Sequence, residues 1–123
     1  MTISVVRLGG PRGKAEGPRL GTVRRPPRGV RKENYGSSNY YDLWLPDLAP
    51  SAKLIAKAQK DWAAFVKAYR REMSQPAAQR LLGLLAQLSQ QADFSVGCYC
   101  EREEGCHRSV LRGLLAERGA KLK

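Results

Sequence analysis

Every cysteine and the only histidine of this chain fall within eleven residues: Cys98, Cys100, Cys106 and His107, with Arg108 directly after them. Thiols, an imidazole and a guanidinium this close together support three kinds of chemistry. A thiolate beside a cation is a nucleophile or a redox group; thiols with an imidazole ligate metal; an arginine beside free backbone N–H groups holds an anion. A phosphatase-type loop needs a cysteine ending a strand and an arginine after five intervening residues. Here five residues separate Cys100 from Cys106, and Arg108 comes two positions later, so that pattern is not met. A Cys3His zinc set would use Cys98, Cys100, Cys106 and His107. However, Cys-x-Cys lacks the usual spacing of two to four residues, and adjacent Cys106 and His107 are expected to splay apart on a helix. No metal ligand is therefore assigned, and no cofactor follows from the residues. A thiol-dependent reaction with Cys106 as the catalytic group, assisted by His107 or Arg108, stays open. So does the plain structural reading, in which the cysteines are small buried hydrophobes at a helix start.

The elements around the cluster decide what it faces. Phe94 to Cys100 is an apolar run of strand length, and Val110, Leu111, Leu114 and Leu115 repeat as one face of a following helix, with Gly119 as its C′ residue. In a strand, Cys98 and Cys100 point to one side and Tyr99 to the other. Cys106, His107 and Arg108 then open the last helix, where a parallel strand ends and open α/β sheets bind ligands. Cations in a first helical turn oppose the macrodipole, at about 0.3–1 kcal/mol each where charged. A bound anion would remove that conflict, although Glu103 and Glu104 just upstream could offset it locally.

The rest of the chain alternates in type. Ile3 to Leu8 is short, β-branched and bounded by Gly9-Gly10-Pro11, which predicts a strand. Leu20 to Val23 predicts a second, stopped by Pro26-Pro27, so that Arg24, Arg25 and Arg28 are displayed beside a stiff turn. Asn34 to Asn39 is a loop by composition, and residues 35–45 are the candidate for a further strand. Ser51 is the expected N-cap of an amphipathic helix, or of two in succession, carrying Ile55, Ala58, Trp62, Phe65, Tyr69 and Met73 as a core-packing stripe. Ser74-Gln75-Pro76 breaks it, and a helix with Leu81, Leu84, Leu85 and Leu88 on its apolar face follows. The expected fold is α/β, a small mostly parallel sheet flanked by helices. The expected organisation is one domain over 1–123, with a basic Gly/Pro/Arg-rich segment at 9–32.

Composition limits the partners. Lys plus Arg number 22 against 11 acids, a formal charge of +11 in 123 residues. Residues 1–32 hold nine of the basic side chains against Glu16 alone, a balance of +8, while the remaining 91 residues carry +3. A field of this sign attracts polyanions. No apolar run approaches the roughly 18 residues of a membrane span, no secretory leader is evident, and three cysteines make no disulfide framework. The expected setting is cytoplasmic.

Several segments carry a family resemblance. Asp42-Leu43-Trp44-Leu45-Pro46-Asp47-Leu48-Ala49-Pro50-Ser51 resembles a ten-residue block of the YeaO-like proteins, the domain-of-unknown-function family numbered 488. Pro27-Arg28-Gly29 resembles that family's turn after its second strand, with Arg24 matching the arginine before it. Trp62, Phe65, Tyr69 and Arg70 are similar to its W-x-x-F…Y-R helix. Cys98-Tyr99-Cys100-Glu101 through Cys106-His107-Arg108-Ser109 resembles the branch that opens its last helix with Cys-His-Arg-Ser. The resemblance spans nearly the whole chain and implies a compact α/β domain, but no established activity or cofactor. Val23-Arg24-Arg25-Pro26-Pro27-Arg28-Gly29 departs from it, lacking the acid and tryptophan that family members often place there.

The expected function is binding of a phosphate-bearing ligand, a nucleotide or nucleic acid, where a strand ends and a helix begins. Arg24 and Arg28 would come from the second strand's turn, and Cys98, Cys100, Glu101 and Arg108 from the last strand and helix. Tyr41 and Trp44 are the candidate base-stacking partners. A small thiol-dependent enzyme and a Cys/His metal-binding protein are the alternatives.

Overall fold

The computed structural model describes all 123 residues. In chain order the elements are β1 (Ile3–Arg7), β2 (Arg19–Gly21), β3 (Leu43–Trp44), α1 (Ala52–Ile55), α2 (Trp62–Met73), α3 (Pro76–Leu88), β4 (Phe94–Cys98) and α4 (His107–Glu117). The strands form one sheet in the order β1-β4-β2-β3, and every pairing is parallel. The α/β expectation therefore holds, as one compact domain. All four strands point the same way, so Arg7, Gly21, Trp44 and Cys98 all lie at the carboxyl edge of the sheet, where ligands of open α/β folds bind.

β4 is the hub. It lies between β1, in a register running from Ile3↔Phe94 to Arg7↔Cys98, and β2, with Arg19↔Ser95. All five of its residues are buried, as a central strand covered on both faces requires. Phe94 and Val96 join Ile3 and the helix side chains in a core of fifteen buried residues. On the opposite face Ser95 donates its hydroxyl to the carbonyls of Glu16 and Pro18. Gly97 has no room for a side chain: a Cβ there would lie 2.7 Å from the Val6 carbonyl oxygen. β1 stops one residue short of the expected Leu8, though Leu8 N–H still bonds the Cys98 carbonyl. β2 runs Arg19–Gly21 rather than Leu20–Val23, with Thr22 N–H adding a bond to Gly97.

The long aromatic stripe divides into two helices. The Ser51 hydroxyl accepts from Leu54 N–H at the start of α1, and Asp61, in extended conformation, accepts from Ala64 N–H to start α2 afresh. Ile55 consequently faces solvent, whereas Phe65, Tyr69 and Met73 are buried. Trp62, Phe65 and Tyr69 stack in sequence at 5.0 and 5.8 Å. In α3 the buried face is Ala78, Leu82, Leu85 and Ala86, while Leu84 and Leu88 are exposed. The small alanines face inward because they let α3 approach closely; of the leucines expected on the apolar face, Leu85 is buried and Leu81 half-buried against the core, and only Leu84 and Leu88 are misplaced.

The 9–32 segment is an ordered part of the fold. Arg19 is 1 % exposed and donates to the carbonyls of Gly10, Pro11 and Asn39 and to the Glu16 carboxylate. Arg12 pairs with Asp42 at 2.9 Å. Two of the nine basic side chains of residues 1–32 thus hold loops together, and the free charge is smaller than the composition implies.

Candidate functional site

β4 ends at Cys98, and the chain then turns, so the strand rule that would align Cys98 with Cys100 no longer applies. The turn nevertheless brings the sulfurs together: Cys98, Cys100 and Cys106 Sγ all lie within 4.8 Å of one another, and Cys98 to Cys106 is 2.6 Å. All three are free thiols; Cys98 and Cys106 are buried and Cys100 is exposed. Cys106 is the N-cap of α4, with extended backbone and no side-chain bond to the helix N–H groups. Because it lies outside the helix, it does not splay from His107 as two helical neighbours would, and its Sγ lies 3.9 Å from His107 Nδ1.

His107 is fixed from the other side. Its Nε2 lies 2.7 Å from the Thr22 carbonyl, and its ring meets Tyr69 edge-on at 5.7 Å. A carbonyl can only accept, so Nε2 carries a proton, and Nδ1 is the ring nitrogen that faces Cys106. Arg108 is 3 % exposed. Its Nη2 donates to the Cys100 carbonyl at 2.8 Å, and its Nε has no partner. Glu103, the acid expected to neutralise it, has both carboxylate oxygens taken by Arg112 at 2.6 and 2.9 Å. Hydrogen bonds from Cys100 and Cys98 hold the Cys106 thiol well below the usual range, outweighing burial, and His107 adds to the effect. Contacts with Cys100 and Cys106, together with burial, push Cys98 up.

Two hollows open at this edge. One, about 380 Å³, is lined by Arg24, Arg25, Cys98, Cys100 and His107, with Ile55 on its rim. The other, about 430 Å³, is lined by Arg7, Arg28, Tyr40, Tyr99, Pro26 and Pro27. Tyr99 lines both and is their partition; its hydroxyl donates to the Arg25 carbonyl at 2.7 Å. Tyr40 and Tyr99 meet edge to face at 6.2 Å.

The residues named from sequence are thus distributed unevenly. Arg24 reaches the thiol hollow but spends its guanidinium on the carbonyls of Ala49 and Pro50. Arg28 lies in the neighbouring hollow, and Arg108 lines neither, being buried behind the cysteines. Glu101 is exposed and 3.9 Å from Arg7. Tyr41 is 4 % exposed, its ring against Gly21, which leaves no face for a base. Trp44 donates its indole N–H to the Val23 carbonyl at 2.7 Å and borders a different hollow, beside Lys32 and Tyr35. Arg25, expected to be displayed beside the Pro-Pro turn, lines the thiol hollow; the side chains at the paired hollows that were not expected there are Arg7, Tyr40 and Tyr99. Tyr40 and Tyr41 are adjacent, and sequence offers no means of choosing between them. Thr22, which orients His107, carries no sequence signal at all.

No helix is long and apolar enough to cross a membrane. A family model described as DUF488-N3a, "Active DUF488-N3 subclade", matches residues 3–119. No curated protein and no solved structure matches the chain.

Proposed function

We propose, from the premise that the chain belongs to the DUF488-N3a family, the active DUF488-N3 subclade, that it binds a phosphate-bearing ligand of the nucleotide class at the carboxyl edge of its sheet. The observation that carries this reading is the pair of hollows divided by Tyr99. They combine two tyrosine rings with arginines that no acid neutralises closely. Arg25 and Arg28 make no ion pair, and Arg7 has only its loose contact with Glu101. Phosphate would lie against Arg28 and Arg7, where planar guanidinium groups can each give two N–H bonds. A base would pack on Tyr40 or Tyr99, which accept any base through its π-face. The thiols and His107 line the adjoining hollow, so a ligand bridging Tyr99 meets Cys100 and His107 first, with Cys106 behind them. The description of the subclade as active accords with a site that does more than bind, and it names no reaction.

Calorimetric titration with a nucleoside diphosphate at low salt tests the reading. Each charge-assisted bond is worth about 1.5–3 kcal/mol, so Arg28→Ala should weaken binding roughly tenfold to a hundredfold. Arg80→Ala, remote on α3, should leave it unchanged. Equal losses in both variants, or no binding by the parent protein, would refute the site.

A further inference from the structure

We infer that the sulfurs of Cys98, Cys100 and Cys106 form a binding site for one zinc ion, with His107 Nδ1, beside Cys106, as the fourth donor the ion would draw in; this goes beyond ligand binding at the neighbouring hollow and does not depend on it. Four independent features converge. The three sulfurs lie within 4.8 Å of one another, and Cys98 and Cys106, 2.6 Å apart, would open to the ~3.8 Å that Zn–S bonds of about 2.3 Å set between tetrahedral ligands. Zinc takes thiolate and imidazole ligands in tetrahedral sets, Cys3His among them. His107 presents Nδ1 beside Cys106 Sγ while Nε2 donates to the Thr22 carbonyl. Metal-bound histidines nearly always give their second N–H to a carbonyl or carboxylate, which fixes the tautomer and turns the free nitrogen to the metal.

Charge supplies the fourth feature. Three thiolates and a neutral imidazole around a divalent ion carry a net charge of −1. Arg108, 3 % exposed with an unpartnered Nε, is a buried cation whose expected acid, Glu103, is held by Arg112. A buried charge needs a counter-charge, and an anionic thiolate–metal centre beside Arg108 provides one. The two sequence objections also fall away. Cys106 is outside the helix, and the turn after Cys98 lets a Cys-x-Cys pair converge. Thiolate-rich tetrahedral sets favour zinc over magnesium, calcium or manganese, which select oxygen ligands.

Cobalt is the spectroscopic probe. The full chain, reduced and stripped of metal, should take up one equivalent of Co²⁺, giving the ligand-field bands of a tetrahedral site and thiolate-to-cobalt charge transfer. Zn²⁺ should displace it. Cys100→Ser removes an exposed ligand, so the fold should be kept as judged by circular dichroism, with Co²⁺ affinity falling at least tenfold. His107→Gln should shift the ligand-field bands while retaining charge transfer. Two results would overturn the site: no cobalt uptake with three titratable thiols, or a Cys98–Cys106 disulfide forming in place of metal binding. The arginine variants that test nucleotide binding should leave cobalt affinity unchanged, so the two readings fail separately.

Discussion

Cys100 and Cys106 differ in what they offer a reagent, although their sulfurs are neighbours. The Cys106 thiol is held below its usual range by bonds from Cys100 and Cys98, yet it is 3 % exposed; Cys100 is exposed, but its hydrogen bond with Cys106 pushes its thiol above the ordinary 9.0. Alkylation needs both access and a thiolate. In metal-free native protein, peptide mapping after iodoacetamide should find Cys100 modified, with a pH midpoint above 9.0, and Cys98 and Cys106 untouched until unfolding. Rapid labelling of Cys106 at neutral pH would instead return it to the role of accessible nucleophile. Tyr69 makes a second residue-scale case. It is fully buried and donates to the Leu48 carbonyl at 2.6 Å. Tyr69→Phe leaves that carbonyl unpaired, an expected loss of about 1–3 kcal/mol in urea denaturation; a change under about 0.5 kcal/mol would mean water replaces the bond.

At the scale of elements, the loop joining β1 to β2 is held by ionised carboxylates. Burial raises Glu16, but hydrogen bonds from Arg19 and Gly13 N–H outweigh it and hold the carboxyl below its ordinary 4.5. Asp42 behaves alike: burial opposes, and Arg12 with Arg19 N–H prevails. A folded value below the unfolded one means that the contribution is complete above about pH 4.5 and is lost as pH falls through the folded value. Thermal melts should therefore show stability dropping below pH 4.5, and Glu16→Gln should lower stability at neutral pH while flattening that acid limb. An unchanged limb would place the acid-sensitive groups elsewhere. This loop also shows where sequence stops informing. β1, β4 and α4 were legible because β-branched runs and a 3.6-residue repeat report burial directly. Glu16 and Arg19 entered the sequence reading only through the charge balance, because their pairing depends on a carbonyl-lined enclosure assembled from residues 10–39. The inward face of α3 was only half legible, Leu85 rightly and Leu84 and Leu88 wrongly placed on it, for a related reason: alanines are chosen by how closely helices approach, which tertiary packing sets.

Over the whole molecule, the formal charge of +11 is less informative than its distribution. Arg12 and Arg19 are committed to carboxylates and Arg24 to carbonyls, whereas Arg7, Arg25 and Arg28 gather at the carboxyl edge. That edge also holds the thiol cluster, because β4 ends there and α4 begins there. Sequence located the cluster and the basic segment, but their convergence is a property of the strand order β1-β4-β2-β3, which no local pattern encodes. The convergence is the central claim, and the salt dependence of binding to a short single-stranded oligonucleotide tests it most directly. For single strands the logarithm of affinity falls against the logarithm of salt with a slope of about −0.7 per phosphate neutralised. Arg25→Ala with Arg28→Ala should reduce that slope by about 1.4, with the melting temperature unchanged. A slope identical to that of the parent protein would contradict the account, since the binding charge would then lie away from this edge.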